Sequence, residues 1–460
     1  MKQTVQRALS RSRWARWAVL MIVAFTMMTG YVVAKEMSPL QYFLELPTRL
    51  GGMGWSSSEF GLFAGSRGFF NVFLLMLFVG GIILDKTGVR FAGVLSCVLM
   101  LAGAGLIYYA IAYTSPTPVT SWALPMGGPF GTHVKQQVLL SCLGLALFGI
   151  GYELCGITVS KVIVKWFTGK EMALAMGIQV ALARLGTALA LAGSPLLAER
   201  FSLSMPILIG VLAVGLGLIV YLVYCSLDAR LDRETHTEQA DDESEKFHFK
   251  DMAITFKNPG FWLITILCML YYSALYPFLD FATKLMIAKY GISPAVAGTI
   301  PAILPFTSIV LTPLFGAMYD RMGRGGTIMI VGTIMLTVVL MVFALPMTWS
   351  WLAVTLMLIL GIAFSLLPAV LWPAVPRIVP MAQLGTAYSI IYYIQNIGLM
   401  IVPALIGIVL QSNTTADGHV DYTTAMWIFT AIGIAAIVVS IVLRAADRRY
   451  GYGLETPNMK

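Results

Sequence analysis

Apolar runs long enough to cross a bilayer recur along the whole chain. A helix rises about 1.5 Å per residue, so about 20 apolar residues span a hydrocarbon core of about 30 Å. Twelve such runs can be read, at 17–38, 58–84, 91–113, 138–163, 172–196, 203–225, 259–285, 294–318, 326–346, 350–374, 384–411 and 423–444. Helices are the only element that fits. A helix satisfies its own backbone inside hydrocarbon, and the alternating pattern of a membrane barrel is missing. Charged residues make up 11% of the chain, against roughly 25% in an average soluble domain. That excludes an ordinary soluble enzyme, a disordered chain and a nucleic-acid binder.

The Lys and Arg residues orient these spans. An even number of spans puts both termini on one side. If that side is cytoplasmic, 22 of the 30 Lys and Arg lie in inside segments or at their helix ends. Only Arg49, Lys135, Arg200 and Lys289 fall outside, while Lys35, Arg67, Arg184 and Lys284 lie within or at the edge of spans. The positive-inside bias therefore places both termini in the cytoplasm. The first apolar run, preceded by Lys2, Arg7, Arg11, Arg13 and Arg16, reads as an uncleaved first helix and not a signal peptide. Residues 226–258 hold nine acids and five bases and read as a solvated cytoplasmic linker, with a short surface helix around Phe247–Phe256. The linker divides the chain into a six-helix bundle at 1–225 and another at 259–460. The five cysteines lie in or beside apolar runs without a pairing pattern, as small core residues do.

An internal repeat joins the two halves. Gly81, Asp85, Lys86, Gly88 and Arg90 follow the second span, and Gly316, Asp320, Arg321, Gly323 and Arg324 follow the eighth. Gly, Asp and Gly each recur after 235 residues, on an inside loop. Gly81 and Gly316 are read as small residues that let helices approach closely. Each aspartate caps or pairs at a helix end, and the basic residues hold the loop in the cytoplasm. The pattern resembles the major facilitator superfamily. That resemblance implies two parallel six-helix repeats, pseudo-symmetric, with a substrate site near the midplane between them; the superfamily is itself a standard example of this architecture. The fold class expected is thus an all-α membrane protein with twelve transmembrane helices.

Charges inside spans are costly, at least about 2.5–3.5 kcal/mol each, and need a reason. Glu153 lies 12 residues before Lys165, about 18 Å along its helix, and Arg184 lies 14 residues after Lys170, about 21 Å along the next. Both reach the midplane on antiparallel neighbours, where they can pair with each other or with a ligand. The stretch MGIQVALARLG around Arg184 has a counterpart in YSIIYYIQNIG, which sets Gln395 and Asn396 opposite Arg184 in the second half. Tyr271 and Tyr272 lie at mid-depth in span seven. Arg67 is expected to face the outer vestibule or to pair internally. Asp280 and Lys284, one turn apart, are expected to pair with each other, and Lys35 and Glu36 to lie at the outer surface. Histidines are confined to loops, and no phosphate-binding fingerprint appears. No cofactor, metal or enzymatic activity is indicated.

A narrower resemblance rests on Leu371-Trp372-Pro373, the run Leu384–Tyr388, Ile394-Gln395-Asn396, Gly151-Tyr152-Glu153 and Ala183-Arg184-Leu185-Gly186. Together with Tyr271-Tyr272 and Pro277-Phe278, these are similar to the branch of the superfamily that contains the lysosomal dipeptide uniporters of animals. The resemblance implies dipeptide transport, with Glu153 and Arg184 contacting the substrate, and uniport. The chemistry agrees, because one fixed anion and one guanidinium can read the two ends of a dipeptide. The N-terminal tail has no acidic sorting signal, so a bacterial inner membrane is the expected address. The expected partners are the dipeptide and the lipid bilayer, with the chain a monomer and no accessory subunit indicated. A proton-coupled peptide symporter, an organic-anion carrier clamping its ligand with Arg67 and Arg184, and a membrane sensor remain as alternatives.

Overall fold

The computed structural model describes residues 13–116, 134–167, 171–234, 257–380, 384–415 and 418–457. The basic tail ahead of Arg13, Lys170, the linker segment 235–256 with its expected surface helix, and His133, His236 and His248 lie outside them. Among the described residues the regular elements are helices, with no strand. In chain order they are α1 (Arg13–Glu36), α2 (Gln41–Glu45), α3 (Ser57–Ser66), α4 (Phe69–Phe73), α5 (Met76–Tyr113), α6 (Gln136–Phe167), α7 (Met172–Arg200), α8 (Ser204–Glu234), α9 (Pro259–Tyr290), α10 (Pro294–Ala297), α11 (Thr299–Met322), α12 (Gly325–Ala344), α13 (Ser350–Ile378), α14 (Leu384–Ser412) and α15 (Thr423–Tyr450). Eight of them, α1–α8, make up the first half of the chain and seven, α9–α15, the second.

Eleven helical stretches among the described residues are long and apolar enough to cross a membrane. The second expected span, 58–84, is not one helix. It is built from α3, α4 and the start of α5, with a break at Leu75, whose φ is +52°. α5 is 38 residues long and turns at Gly88 (φ 78°, ψ 170°), so it carries the end of the second crossing and the whole of the third. A side chain rarely adopts that φ, which is why glycine stands there. α3 starts on a capping box: Ser56 Oγ accepts from the Glu59 amide at 3.1 Å, and the Glu59 carboxylate accepts from the Ser56 amide at 2.8 Å.

Several expectations are corrected. α8 runs to Glu234, nine residues past the apolar run. Asp228, read as part of a solvated linker, is fully buried. It accepts from Lys165 at 2.9 Å, Trp166 at 3.2 Å and Tyr224 at 3.1 Å, with Arg90 at 3.5 Å. Asp85 pairs with Lys161 at 2.6 Å. Gly81 and Gly316 do not mediate close approach, since a Cβ on either meets nothing within 4 Å. Gly323 (φ 66°) instead packs under the C-terminal segment, where the Arg324 and Gly325 amides donate to the carbonyls of Glu455 and Leu454. Lys35 and Glu36 are buried, at 3% and 1% exposure, not at the surface.

Call the side that holds Arg13, Asp228 and Tyr450 the terminal face and the opposite side the far face. The two halves are drawn together on the far face. Gly61 of α3 and Gly407 of α14 meet backbone to backbone: a Cβ on Gly61 would stand 2.5 Å from the Pro403 carbonyl and 2.8 Å from Gly407 Cα. Asp280 and Lys284 of α9 do not pair with each other. Asp280 binds Lys35 and, at 2.7 Å, Ser38, while Lys284 binds Glu45 of α2. Packing turns both side chains toward the first half, so each completes an ion pair between the bundles.

Candidate functional site

Glu153 on α6 and Arg184 on α7 are both half-buried and face elements of the second half. They are not paired with each other. Among the described residues, no carboxylate lies within the 4.0 Å of an ion pair from Arg184. Each charge engages the second half instead. Arg184 Nη1 donates to the Tyr276 hydroxyl of α9 at 2.9 Å, and its guanidinium lies 4.3 Å from the ring centroid of Phe364 of α13. The Glu153 carboxylate lies beside the Asn396 side chain of α14, with Arg67 as its neighbouring cation.

Tyr31 of α1 lies close to both charges and packs edge-on against Tyr152, their rings 5.1 Å apart. An aromatic wall lines the second half. Tyr276 stacks on Tyr272 at 5.5 Å and 10°, Trp372 donates to the Tyr272 hydroxyl at 3.2 Å, and Trp372 stacks on Tyr392 at 5.0 Å. The Tyr388 hydroxyl donates to the Trp372 carbonyl at 3.3 Å.

The other sequence-selected residues fall in different places. Asn396 is buried and donates to the Tyr392 carbonyl at 3.0 Å; its own carbonyl packs over Gly68 of the first half. It sits beside Glu153, not Arg184. Gln395 points into the second bundle, where its Oε1 accepts from Cys268 at 3.6 Å. Tyr271 is fully buried and donates to the Ala363 carbonyl at 2.8 Å. Arg67 caps the C-terminal end of α3, half-buried, and its backbone carbonyl lies against Gly149. Arg67 and Asp280 also line a small cleft together with Val33, Ser38 and Phe60, between the site and the far face.

Sequence reasoning missed Tyr31, Tyr152, Tyr276, Phe364, Trp372 and Tyr392. In an apolar helix an aromatic side chain gives no local sign of whether it faces lipid, core or a cavity. Tyr152 and Trp372 stood in the motifs of the narrower resemblance without a role, and Tyr276 precedes Pro277 one turn from Asp280. With oppositely charged groups, amides and phenols on facing helices, the site can bind a small polar molecule through both of its ends. Among the described residues, no three His, Cys, Asp or Glu side chains converge to hold a metal.

Comparison with known proteins places this arrangement. The family model described as Major Facilitator Superfamily matches residues 119–403 and 279–455. The chain is 30% identical over 354 residues to the lysosomal dipeptide transporter MFSD1 of Homo sapiens, covering 74% of this chain and 69% of the relative. It is 22% identical over 311 residues to the hexuronate transporter of Bacillus subtilis (strain 168), covering 65% and 73%. Among solved structures, the nucleoside transporter NupG superposes with a TM-score of 0.67 at 15% identity, over 93% of this chain and 98% of that one. The peptide transporter POT in complex with sulfate superposes with 0.63 at 15% identity, over 95% of each. These last two likenesses speak for the fold. The chain is a multi-pass membrane transporter, not an enzyme, and it belongs to the Major Facilitator Superfamily.

Proposed function

We propose that the chain carries dipeptides across a bacterial inner membrane by alternating access, as a monomeric uniporter without an accessory subunit. The observation that carries this reading is the separate engagement of Glu153 and Arg184. Two opposite charges share one region without pairing with each other: Arg184 holds the Tyr276 hydroxyl of the second half, and Glu153 lies beside the Asn396 amide. An extended dipeptide separates its ammonium and carboxylate by about 7 Å at most. Glu153, with Asn396 beside it, reads the ammonium; Arg184 reads the carboxylate, for which a guanidinium is geometrically suited. Tyr272 and the aromatic wall border the side chains, Arg67 sets the field at Glu153, and Tyr271 and Gln395 support the site from behind. The relative's printed role as a dipeptide transporter agrees.

The terminal face is taken as cytoplasmic, with both termini there and the 226–258 linker between the bundles. Contacts between the halves on the far face then describe a carrier closed to the outside. The repeated motifs Gly81, Asp85, Lys86, Gly88, Arg90 and Gly316, Asp320, Arg321, Gly323, Arg324 act as conformational joints on the cytoplasmic side.

Ligand variants test the site. Glu153→Gln is expected to weaken free dipeptides while hardly changing N-acetylated ones. Arg184→Ala is expected to weaken both, and to spare only C-terminal amides. Charge-assisted hydrogen bonds are worth about 1.5–3 kcal/mol, so losses of roughly ten- to a hundredfold are expected. Normal dipeptide binding by both folded variants would defeat the proposal.

One observation favours a second reading. Arg67, like Arg184, has no carboxylate within ion-pair distance among the described residues. Two such arginines suit an organic anion, and a hexuronate transporter is among the relatives. A dicarboxylate or hexuronate that outcompetes a dipeptide in thermal-shift assays would favour that carrier.

A further inference from the structure

Tyr276 touches both the candidate substrate-binding arginine and the closure on the far face. Its hydroxyl accepts from Arg184 at 2.9 Å. Its backbone carbonyl accepts from Lys35 Nζ at 3.3 Å, and the same ammonium lies 5.5 Å from its ring centroid. Lys35 in turn binds Asp280, one turn further along α9. The ring is held between Tyr272, stacked at 5.5 Å, and Phe364, edge-on at 6.1 Å; Phe364 is also the ring beside the Arg184 guanidinium. Pro277 follows directly and has no N–H, so the Ser273 carbonyl one turn back lacks its helical donor. The helix is therefore weakest where Tyr276 sits.

A phenol is a poor match for a guanidinium. It is neutral and offers one oxygen, whereas a carboxylate is charged and accepts two parallel bonds. Resting on the reading of Arg184 as the carboxylate binder, we infer that the Tyr276 hydroxyl is a stand-in for the substrate carboxylate. It occupies Arg184 in the empty carrier and is displaced when the carboxylate of a dipeptide binds. Tyr276 is thus a positioning residue, acting through Arg184. A downhill carrier must return empty, and during that return the halves close over Arg184. The hydroxyl keeps an acceptor on the guanidinium at that step. Its displacement also moves the residue whose carbonyl holds Lys35, which links site occupancy to the Lys35–Asp280 closure.

Tyr276→Phe keeps the ring and the carbonyl but removes the stand-in. In proteoliposomes, with a neutral non-hydrolysable dipeptide as probe, binding is expected to tighten about three- to tenfold, because the dipeptide no longer displaces a hydrogen bond. Net efflux into dipeptide-free medium is expected to fall about tenfold more than dipeptide–dipeptide exchange, since only net efflux includes the empty return. A purely structural role would depress both fluxes together. Weaker or unchanged binding, or equal losses of efflux and exchange, overturns the inference. If the unsubstituted chain binds no dipeptide, the proposed substrate fails as well. If that chain binds and Arg184→Ala abolishes binding, a Tyr276→Phe variant without these effects defeats only the stand-in.

A second measurement covers the case in which Tyr276→Phe does not fold. With ring-fluorinated tyrosine at position 276, the fluorine resonance is expected to shift on adding the dipeptide acid, and not on adding its C-terminal amide. Equal shifts with both, or none with the acid, overturn the inference.

Discussion

The Lys35 ammonium at the end of α1 is ion-paired with the Asp280 carboxylate of α9, 245 residues away, and this pair joins the two bundles on the far face. Both side chains are nearly inaccessible, and Ser38 adds a hydrogen bond to the same carboxylate. Breaking a buried pair by removing one partner costs about 3–5 kcal/mol, because an uncompensated charge stays behind. Lys35→Ala is therefore expected to shift the carrier toward a state open on the far face. A cysteine at Ser38, in a background without the five native cysteines, should then react faster with an impermeant thiol reagent. The charge swap Lys35→Asp with Asp280→Lys is expected to restore slow labelling. Unchanged labelling in Lys35→Ala would show that the pair does not hold the closure.

Gly407 tests the same closure through shape alone. A Cβ built there lies 2.5 Å from the Ser57 carbonyl and 2.8 Å from Gly61 Cα, so there is no room for a side chain while α3 and α14 remain packed. Overpacking of this kind costs about 1–3 kcal/mol. Gly407→Leu is expected to leave each bundle folded but to prevent closure. Spin labels at Arg49 and Ser412, both exposed on the far face, should move apart, and transport should fall at least about tenfold. Gly407→Ala is expected to do the same to a smaller degree. Unaltered label distances in the leucine variant would refute the glycine contact as the closing surface.

Asp228 is a different kind of site, internal to the first bundle. It is fully buried, with Lys165, Trp166, Tyr224 and Arg90 all directed at one carboxylate. Asp228→Ala removes the buried carboxylate on which Lys165, the Trp166 indole N–H and the Tyr224 hydroxyl converge. A loss of about 3–5 kcal/mol follows, read as a lower Tm of the purified protein. Because the carboxylate is buried, added salt should change this difference little. A variant with the Tm of the unsubstituted chain would mean that the cluster contributes nothing to stability.

How far the sequence reaches is clear from particular residues. The apolar runs placed α6, α7, α9, α13, α14 and α15, because a helix in hydrocarbon closes its hydrogen bonds within its own segment. Glu153 and Arg184 stood out because a charge at mid-span has a cost that composition alone exposes. The 235-residue repeat identified two equivalent turns, and Gly88 and Gly323 do adopt the positive φ that explains their identity. The break at Leu75 was not legible, since Leu75 sits in an apolar run with nothing to mark a positive φ.

What only the tertiary structure decided is which partner each charge takes. Spacing gives depth along a helix, but a partner depends on rotation about the helix axis and on which surfaces face each other. Those are set by packing between segments far apart in sequence. Hence Arg184 meets Tyr276 instead of Glu153, Glu153 meets Asn396, and Asp280 and Lys284, neighbours on one turn, each reach across to the other bundle.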